Sequence, residues 1–233
     1  MSTKPIRGQR RRGVPSLVLP GDPDGCGWIA MGDGLYQACG VNVAHWRHLT
    51  RQHVRAQYVG SPTRWGNPFQ AVKRDGRWMV TLSAQIEGDV PAVEMDATEH
   101  EVMGAAVRAF KLQLDMGTPI DQASYVAPLV SADVLSCWCP LDAPCHGDTL
   151  CDLVGRLRSG DLVPGLVATP DVCGGALRID GYDGYTVSEL ADEVRDVATY
   201  GDWTSDEAIE NIASDEGVDS ELVRLAVRVG GAL

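Results

Sequence analysis

Long apolar runs are missing from this 233-residue sequence. No stretch approaches the roughly 20 consecutive apolar residues that a membrane-spanning helix needs, so we expect no association with a membrane. The first residues, MSTKPIRGQRRRGVPSLVLPG, are basic but lack the apolar segment and the cleavage site of a secretion signal. The sequence therefore predicts a protein of the cytoplasm.

Positive charge is also scarce, and it is unevenly distributed. The net charge is −12, from 20 Lys and Arg against 32 Asp and Glu. Residues 1–60 carry a net charge of +5, whereas residues 176–233 carry 4 Arg and 14 acidic residues. The acidic end repels phosphate, which argues against a DNA-binding groove there and favours contact with a protein. The basic start, KPIRGQRRR, is either a solvated terminus or a region that attracts nucleic acid.

Turn residues and hydrophobic periodicity divide the chain into four parts. These are a Gly/Pro-rich N-terminal extension, an α/β core domain, a linker and an acidic three-helix unit, over residues 1–40, 41–160, 161–180 and 181–233 respectively. In the core domain, strand-like segments alternate with helices, the clearest of which begins at a capping box of Thr98 and Glu101. This alternation predicts an α/β fold with a Rossmann-like sheet and flanking helices, followed by the small three-helix unit.

Cysteine is concentrated in one segment, because four of the seven cysteines fall within residues 137–151. An odd number of cysteines crowded in this way is not typical of a disulfide framework. The segment LSCWCPLDAPCHGD, residues 135–148, is predicted to be the end of a buried strand, a short loop and the start of a helix. A helix start binds anions through its free N–H groups, and it lowers the pKa of a thiol placed there.

This segment has three interpretations that the sequence alone leaves open. A zinc ion could be bound by donors of suitable type, namely Cys137, Cys139, Cys145 and His146, although the spacing is unusual for a structural zinc site. A catalytic centre could use Cys139 or Cys145 as the nucleophile, with His146 and Asp148 as acid and base. In the third interpretation the cysteines only pack as small apolar side chains, and Asp148 makes a local hydrogen bond.

A second motif, YVGSPTRWGNPF at residues 58–69, also follows a predicted strand. We expect its loop at the same carboxyl edge of the sheet, where open α/β folds bind their ligands. Arg64 offers a guanidinium for phosphate, Trp65 a ring for stacking on a base, and Asn67 an amide for a base edge. Gly66 allows close backbone approach. The alternative is a rigid turn in which Trp65 fills the core.

The two motifs and the capped helix between them, over residues 41–155, resemble the family known as domain of unknown function 4326, which occurs in bacteria and in many bacteriophages. The resemblance marks as signature positions Trp65, Gly66, Asn67, Pro68, Cys137, Cys139, Cys145, His146 and Asp148. It implies no established reaction. The segment between the first motif and the helix, residues 70–96, and both ends of the chain are additions to the compact form expected of the family.

From these features we predict a domain that binds a nucleotide, a nucleoside or a related phosphorylated molecule, and whose hydrolase or group-transfer activity is an open question. The alternative is a non-enzymatic, zinc-stabilised module of a bacteriophage, located in the host cytoplasm. Such a module would bind nucleic acid through the basic N-terminal region or a host protein through the acidic tail. Zinc is the cofactor that the residues could hold, although the sequence makes no cofactor certain.

Overall fold

The computed structural model describes residues 4–10, 16–19, 28–32, 35–38, 53–82, 93–168, 176–182, 184–201 and 203–230. The strands are β1 (Ile6–Arg10), β2 (Ser16–Val18), β3 (Trp28–Gly32), β4 (Leu35–Ala38), β5 (His53–Tyr58), β6 (Phe69–Arg74), β7 (Arg77–Leu82), β8 (Val93–Met95), β9 (Val134–Cys137), β10 (Leu166–Ala168) and β11 (Leu177–Ile179). The α-helices are α1 (Glu99–Asp115), α2 (Pro119–Val126), α3 (His146–Arg158), α4 (Val187–Tyr200), α5 (Ser205–Glu216) and α6 (Ser220–Gly230). The fold is therefore mixed α/β, as predicted.

The chain forms two compact units. The first, which we call the cysteine unit, consists of Pro5–Met116 and Ala132–Cys151. The second, the acidic unit, consists of Met1–Lys4, Gly117–Ser131 and Asp152–Leu233. Both units draw on separated stretches of the chain, and the domain boundaries drawn from the sequence at 40, 160 and 180 stay predictions.

Six strands of the cysteine unit form a mixed sheet that closes on itself in the order β1-β2-β3-β4-β5-β9. Strand β9 lies between β1 and β5 and is parallel to both, whereas the other neighbouring pairs are antiparallel. All four residues of β9, VLSC, are buried, as expected of a strand that is paired on both sides in a sheet interior. The Rossmann-like arrangement is not confirmed, because a Rossmann sheet is open and mostly parallel.

A second sheet of the cysteine unit is the antiparallel series β6-β7-β8. Its first hairpin turns at Asp75 and Gly76, which both have positive φ, 49° and 81°. An Asp-Gly pair is favoured in such a turn because glycine has no Cβ and aspartate tolerates the left-handed conformation. Helix α1, which packs on β6 and β7, begins at the predicted capping box of Thr98 and Glu101.

The acidic unit contains the three predicted C-terminal helices, α4, α5 and α6, which pack against one another. Capping boxes at Thr186 and Thr204 begin α4 and α5. Helix α6 also packs on α2 and on β11, so these helices belong to a larger unit and a separate three-helix unit is not confirmed. In the part of the chain that the structure describes, none of the helices has both the length and the apolarity needed to cross a membrane.

Candidate metal centre

The cysteine segment brings four donor atoms together at the carboxyl end of β9. Cys137 ends the strand, Cys139 lies in the turn after it, and Cys145 and His146 stand at the start of α3. Their Sγ atoms and one ring nitrogen all lie within 4.8 Å of one another. The four donors therefore meet at one point. In the sequence they form two pairs, because Cys137 and Cys139 are two residues apart and Cys145 and His146 are adjacent.

Two of the donor–donor distances are close to those of tetrahedral coordination. The sulfurs of Cys137 and Cys139 are 3.5 Å apart, and the sulfur of Cys145 is 4.0 Å from Nδ1 of His146. Ligands held about 2.3 Å from one ion at tetrahedral angles are roughly 3.8 Å from each other. The unusual spacing does not prevent this geometry, because β9 ends at Cys137 and the following turn places Cys139 beside it.

The imidazole of His146 is held in the tautomer that a metal ligand needs. Its Nε2 lies 2.9 Å from the backbone carbonyl of Val59, and a carbonyl only accepts, so Nε2 carries the proton. In the neutral ring Nδ1 is then the nitrogen with a free lone pair, and it faces Cys145. The ring is 5% exposed, and Phe110 packs edge-on against it at 5.5 Å. A ligating histidine is usually oriented in this way, by donation of its one ring N–H, on the nitrogen that does not bind the metal, to a carbonyl or carboxylate.

The three thiols affect one another's ionisation. The pKa of Cys137 is lowered, because Cys139 and then Cys145 donate hydrogen bonds to its sulfur. The same interaction with Cys137 raises the pKa of Cys139 to about 11, and hydrogen bonds to Cys137 and Cys139 together with burial raise that of Cys145. The hydrogen bonds among the thiols thus favour the thiolate of Cys137 over those of Cys139 and Cys145, whereas a divalent cation would stabilise all three thiolates.

Arg7, which sequence reasoning missed as part of this site, holds the loop between the cysteines. Its Nη1 donates to the carbonyl of Ala143 and to Oδ2 of Asp148, both at 2.9 Å. Its Nη2 donates to the carbonyls of Pro140, at 3.2 Å, and Leu141. The side chain is only 9% exposed. This arginine of the basic N-terminal region therefore makes its hydrogen bonds within the cysteine unit. Asp148, predicted to be an acid or base, is the partner of this guanidinium.

The second motif begins at the same edge of the sheet, as predicted. Strands β5 and β9 are parallel neighbours, with Tyr58 beside Ser136. The next residue, Val59, supplies the carbonyl that orients His146. The ring of Tyr58 lies edge-on to that of Trp138, with centroids 6.2 Å apart. The two motifs are therefore in direct contact, a result that the strand-then-loop pattern of each had indicated.

The predicted ligand-binding residues of the second motif have different surroundings. Arg64 is exposed, and its guanidinium carbon lies 5.1 Å from the ring centroid of the half-buried Trp65. Asn67 uses its amide within the protein, since Nδ2 donates to the carbonyl of Ala106 on α1 at 3.2 Å and Oδ1 accepts from the backbone of Phe69 at 2.9 Å. Arg64 is thus open to solvent, whereas Asn67 ties the loop to the helix.

Gly66 is required by the tight turn of this motif. A Cβ at this position would lie 2.8 Å from the backbone nitrogen of Ser61, closer than real contacts allow. The turn is closed by hydrogen bonds from the backbone N–H of Gly66 to the carbonyl of Thr63, at 2.9 Å, and from Thr63 to the carbonyl of Gly60, at 3.0 Å. The role of Gly66 is therefore to shape the loop that carries Arg64.

Comparison with known proteins agrees with the resemblance seen in the motifs. The model of the family described as Domain of unknown function (DUF4326) matches residues 41–156, about half of the chain. This range contains both motifs and all four clustered donors but not Arg7. Neither the curated proteins nor the solved structures gave a match.

Proposed function

Because the chain belongs, through residues 41–156, to the family described as Domain of unknown function (DUF4326), which brings no reaction with it, we propose a function from the chemistry of the site itself. The protein is a zinc-stabilised α/β module, and its centre is formed by Cys137, Cys139, Cys145 and His146. The observation that carries this proposal is the convergence of four donor atoms within 4.8 Å.

The donor set favours zinc over other metals. Three thiolates and one imidazole are soft or borderline ligands, and a tetrahedral arrangement of such donors is typical of Zn²⁺. Calcium and magnesium prefer oxygen ligands, which this cluster does not contain.

The protein itself supplies all four ligands, so no position is left for a water or a substrate, and the centre is structural. In this proposal Cys139, Cys145 and His146 are ligands rather than a nucleophile and an acid/base pair. The centre then joins three local features, namely the end of β9, the loop held by Arg7 and the start of α3. Through the carbonyl of Val59 it also fixes the beginning of the second motif.

Metal analysis of the full chain, purified without chelator, tests this proposal. We expect about one zinc per chain, and no zinc in Cys145→Ser, because that substitution removes one of four ligands. The matched control is Cys151→Ser, since Cys151 is a buried cysteine on α3 outside the cluster and its variant should keep the metal. Zinc-free wild-type protein, or full zinc occupancy in Cys145→Ser, would contradict the proposal.

A second candidate function, binding of a nucleotide-like ligand at the strand edge, is favoured by one observation. Strands β5 and β9 are parallel, the Arg64–Trp65 loop follows β5 at their carboxyl edge, and the exposed guanidinium of Arg64 has the charge and shape that suit phosphate. Trp65 would stack on the base, and Asn67 and Gly66 would hold the loop in position.

Calorimetric titration with adenosine monophosphate tests this second function. We expect Arg64→Gln to weaken binding about tenfold or more, because a charge-assisted contact to phosphate is lost. Arg77→Gln is the control, since Arg77 is an exposed arginine of the β6–β7 hairpin that pairs with Glu94. No heat of binding to the wild-type protein, or equal binding by both variants, would count against a nucleotide site here.

A further inference from the structure

Trp138 is an unusual exposed side chain in a buried segment. It lies between Cys137, which is 4% exposed, and Cys139, yet 45% of its own surface is open to solvent. Both neighbours are ligands of the proposed zinc centre, so the backbone on each side of this tryptophan would be fixed by the metal. This large apolar ring leaves surface in contact with water that a bound ligand could bury with a gain in free energy.

Trp138 stands beside a second aromatic ring and a guanidinium. Tyr58 lies edge-on to it with ring centroids 6.2 Å apart, and the hydroxyl of Tyr58 donates a hydrogen bond to the carbonyl of Ser61 at 2.8 Å. The guanidinium carbon of Arg10 lies 5.2 Å from the Tyr58 ring centroid. Aromatic rings interleaved with arginine are the elements with which proteins bind unpaired bases and the adjoining phosphates.

The sheet topology explains why these three residues meet. Arg10 ends β1, Tyr58 ends β5, and Trp138 follows the last residue of β9. Because β9 is parallel to both neighbours, the carboxyl ends of all three strands lie at one edge. The Arg64–Trp65 pair follows β5 and provides a second ring with a guanidinium at the loop that leaves this edge.

The two units differ in net charge. The cysteine unit contains 13 Lys and Arg against 14 Asp and Glu, whereas the acidic unit contains 7 against 18. The repulsion of a phosphate chain is therefore concentrated in the acidic unit, and the cysteine unit is close to neutral. An edge of the cysteine unit that carries arginine is the part of the protein that fits a polyanion.

We propose that Trp138, with Tyr58 and Arg10, is a stacking site for a base of single-stranded nucleic acid. The inference rests on the proposed zinc centre, which fixes the backbone around Trp138. A single strand fits better than a duplex, because only unpaired bases expose a face for stacking. The chemistry shared with a free nucleotide is one base and one phosphate, and a strand adds further nucleotides that reach the Arg64–Trp65 pair.

Fluorescence anisotropy of the zinc-loaded full chain with a labelled 15-nucleotide oligo(dT) tests this site. We expect Trp138→Ala to weaken binding about tenfold or more, because stacking on one ring is lost. Trp203→Ala is the matched control, since Trp203 is a tryptophan of similar exposure, 41%, in the acidic unit. Arg10→Gln should lower the slope of log affinity against log salt concentration by about 0.7, the value for one phosphate contact on a single strand.

Three comparisons decide the outcome. Equal affinity of Trp138→Ala and Trp203→Ala for the oligonucleotide would overturn the inference, as would equal affinity of the wild-type protein for the single strand and for a duplex of the same length. Affinity for thymidine monophosphate equal to that for the oligonucleotide would show a free nucleotide as the ligand and overturn the inference as well. Zinc content is measured on every sample. A zinc-loaded protein that fails to bind the oligonucleotide would contradict this inference alone, whereas a wild-type protein without zinc would contradict the proposed function.

Discussion

We expect the cysteine unit to unfold at room temperature when the proposed zinc ion is removed with a chelator. Apparent binding free energies of structural zinc sites are about 10–16 kcal/mol, which is comparable to or larger than the whole stability of a typical domain, about 5–15 kcal/mol. The binding energy becomes folding energy here because the ligands come from a strand end, a turn and a helix start that only the folded chain brings together. We expect the near-ultraviolet circular dichroism of the tryptophans to collapse on chelation and to return when zinc is added back.

The site itself supplies the control for this experiment. Cys151→Ser retains all four ligands and should respond to the chelator as the wild-type chain does, whereas Cys137→Ser should already be unfolded in its cysteine unit without chelator. The acidic unit has a buried core of its own, including Leu190, Ile209 and Val229, so much of the far-ultraviolet helix signal should remain. A wild-type melting temperature that does not change on chelation, in protein shown to contain zinc, would contradict a structural role for the metal.

The donor set of this centre could be predicted from the sequence, whereas its geometry could not. Cys137, Cys139, Cys145 and His146 were recognised as zinc-type ligands by residue type and crowding alone. Strand alternation gives no reason for β9 to stop at Cys137, and residue spacing cannot show how the helix start turns His146 toward Cys145. The tautomer of His146 depends on Val59, which is 87 residues away in sequence, so no local pattern could have shown it.

For the fold, too, local features could be predicted from the sequence, whereas strand pairing could not. Local signals predict features such as the capping box at Thr98, because these depend on a few neighbouring residues. The alternation of strands and helices indicated α/β but not the pairing, since β1 and β2 come from the segment that composition marks as an extension. The closed sheet results from pairing of β1 with β9, across more than a hundred residues, and single-sequence periodicity contains no information on such partners.

Arg7 shows the functional consequence of that long-range pairing, and Arg7→Met should destabilise the cysteine unit by about 3–5 kcal/mol. The substitution keeps an aliphatic stem but removes a nearly buried guanidinium that donates to three loop carbonyls and to Asp148. Hydrogen bonds from a charged group contribute roughly 1.5–3 kcal/mol each, and part of the loss is recovered as the released carbonyls meet water. The free energy of unfolding is measured by urea denaturation in the presence of zinc.

Two further variants separate the contributions of Arg7. Asp148→Asn removes the charge of the acidic partner in the ion pair, which is 57% exposed, so we expect a loss of about 1 kcal/mol or less. Arg77→Met removes an arginine whose side chain is 73% exposed and should leave the stability nearly unchanged. The hydrogen bonds from Arg7 to three carbonyls orient the loop between the two pairs of ligands. Arg7→Met should therefore also weaken zinc binding by roughly 10- to 100-fold, as loss of an outer-shell contact does. If Arg7→Met lost no more stability and no more zinc affinity than Arg77→Met, the loop would hold its shape without the hydrogen bonds from Arg7. The basic N-terminal region would then have no part in forming the metal centre.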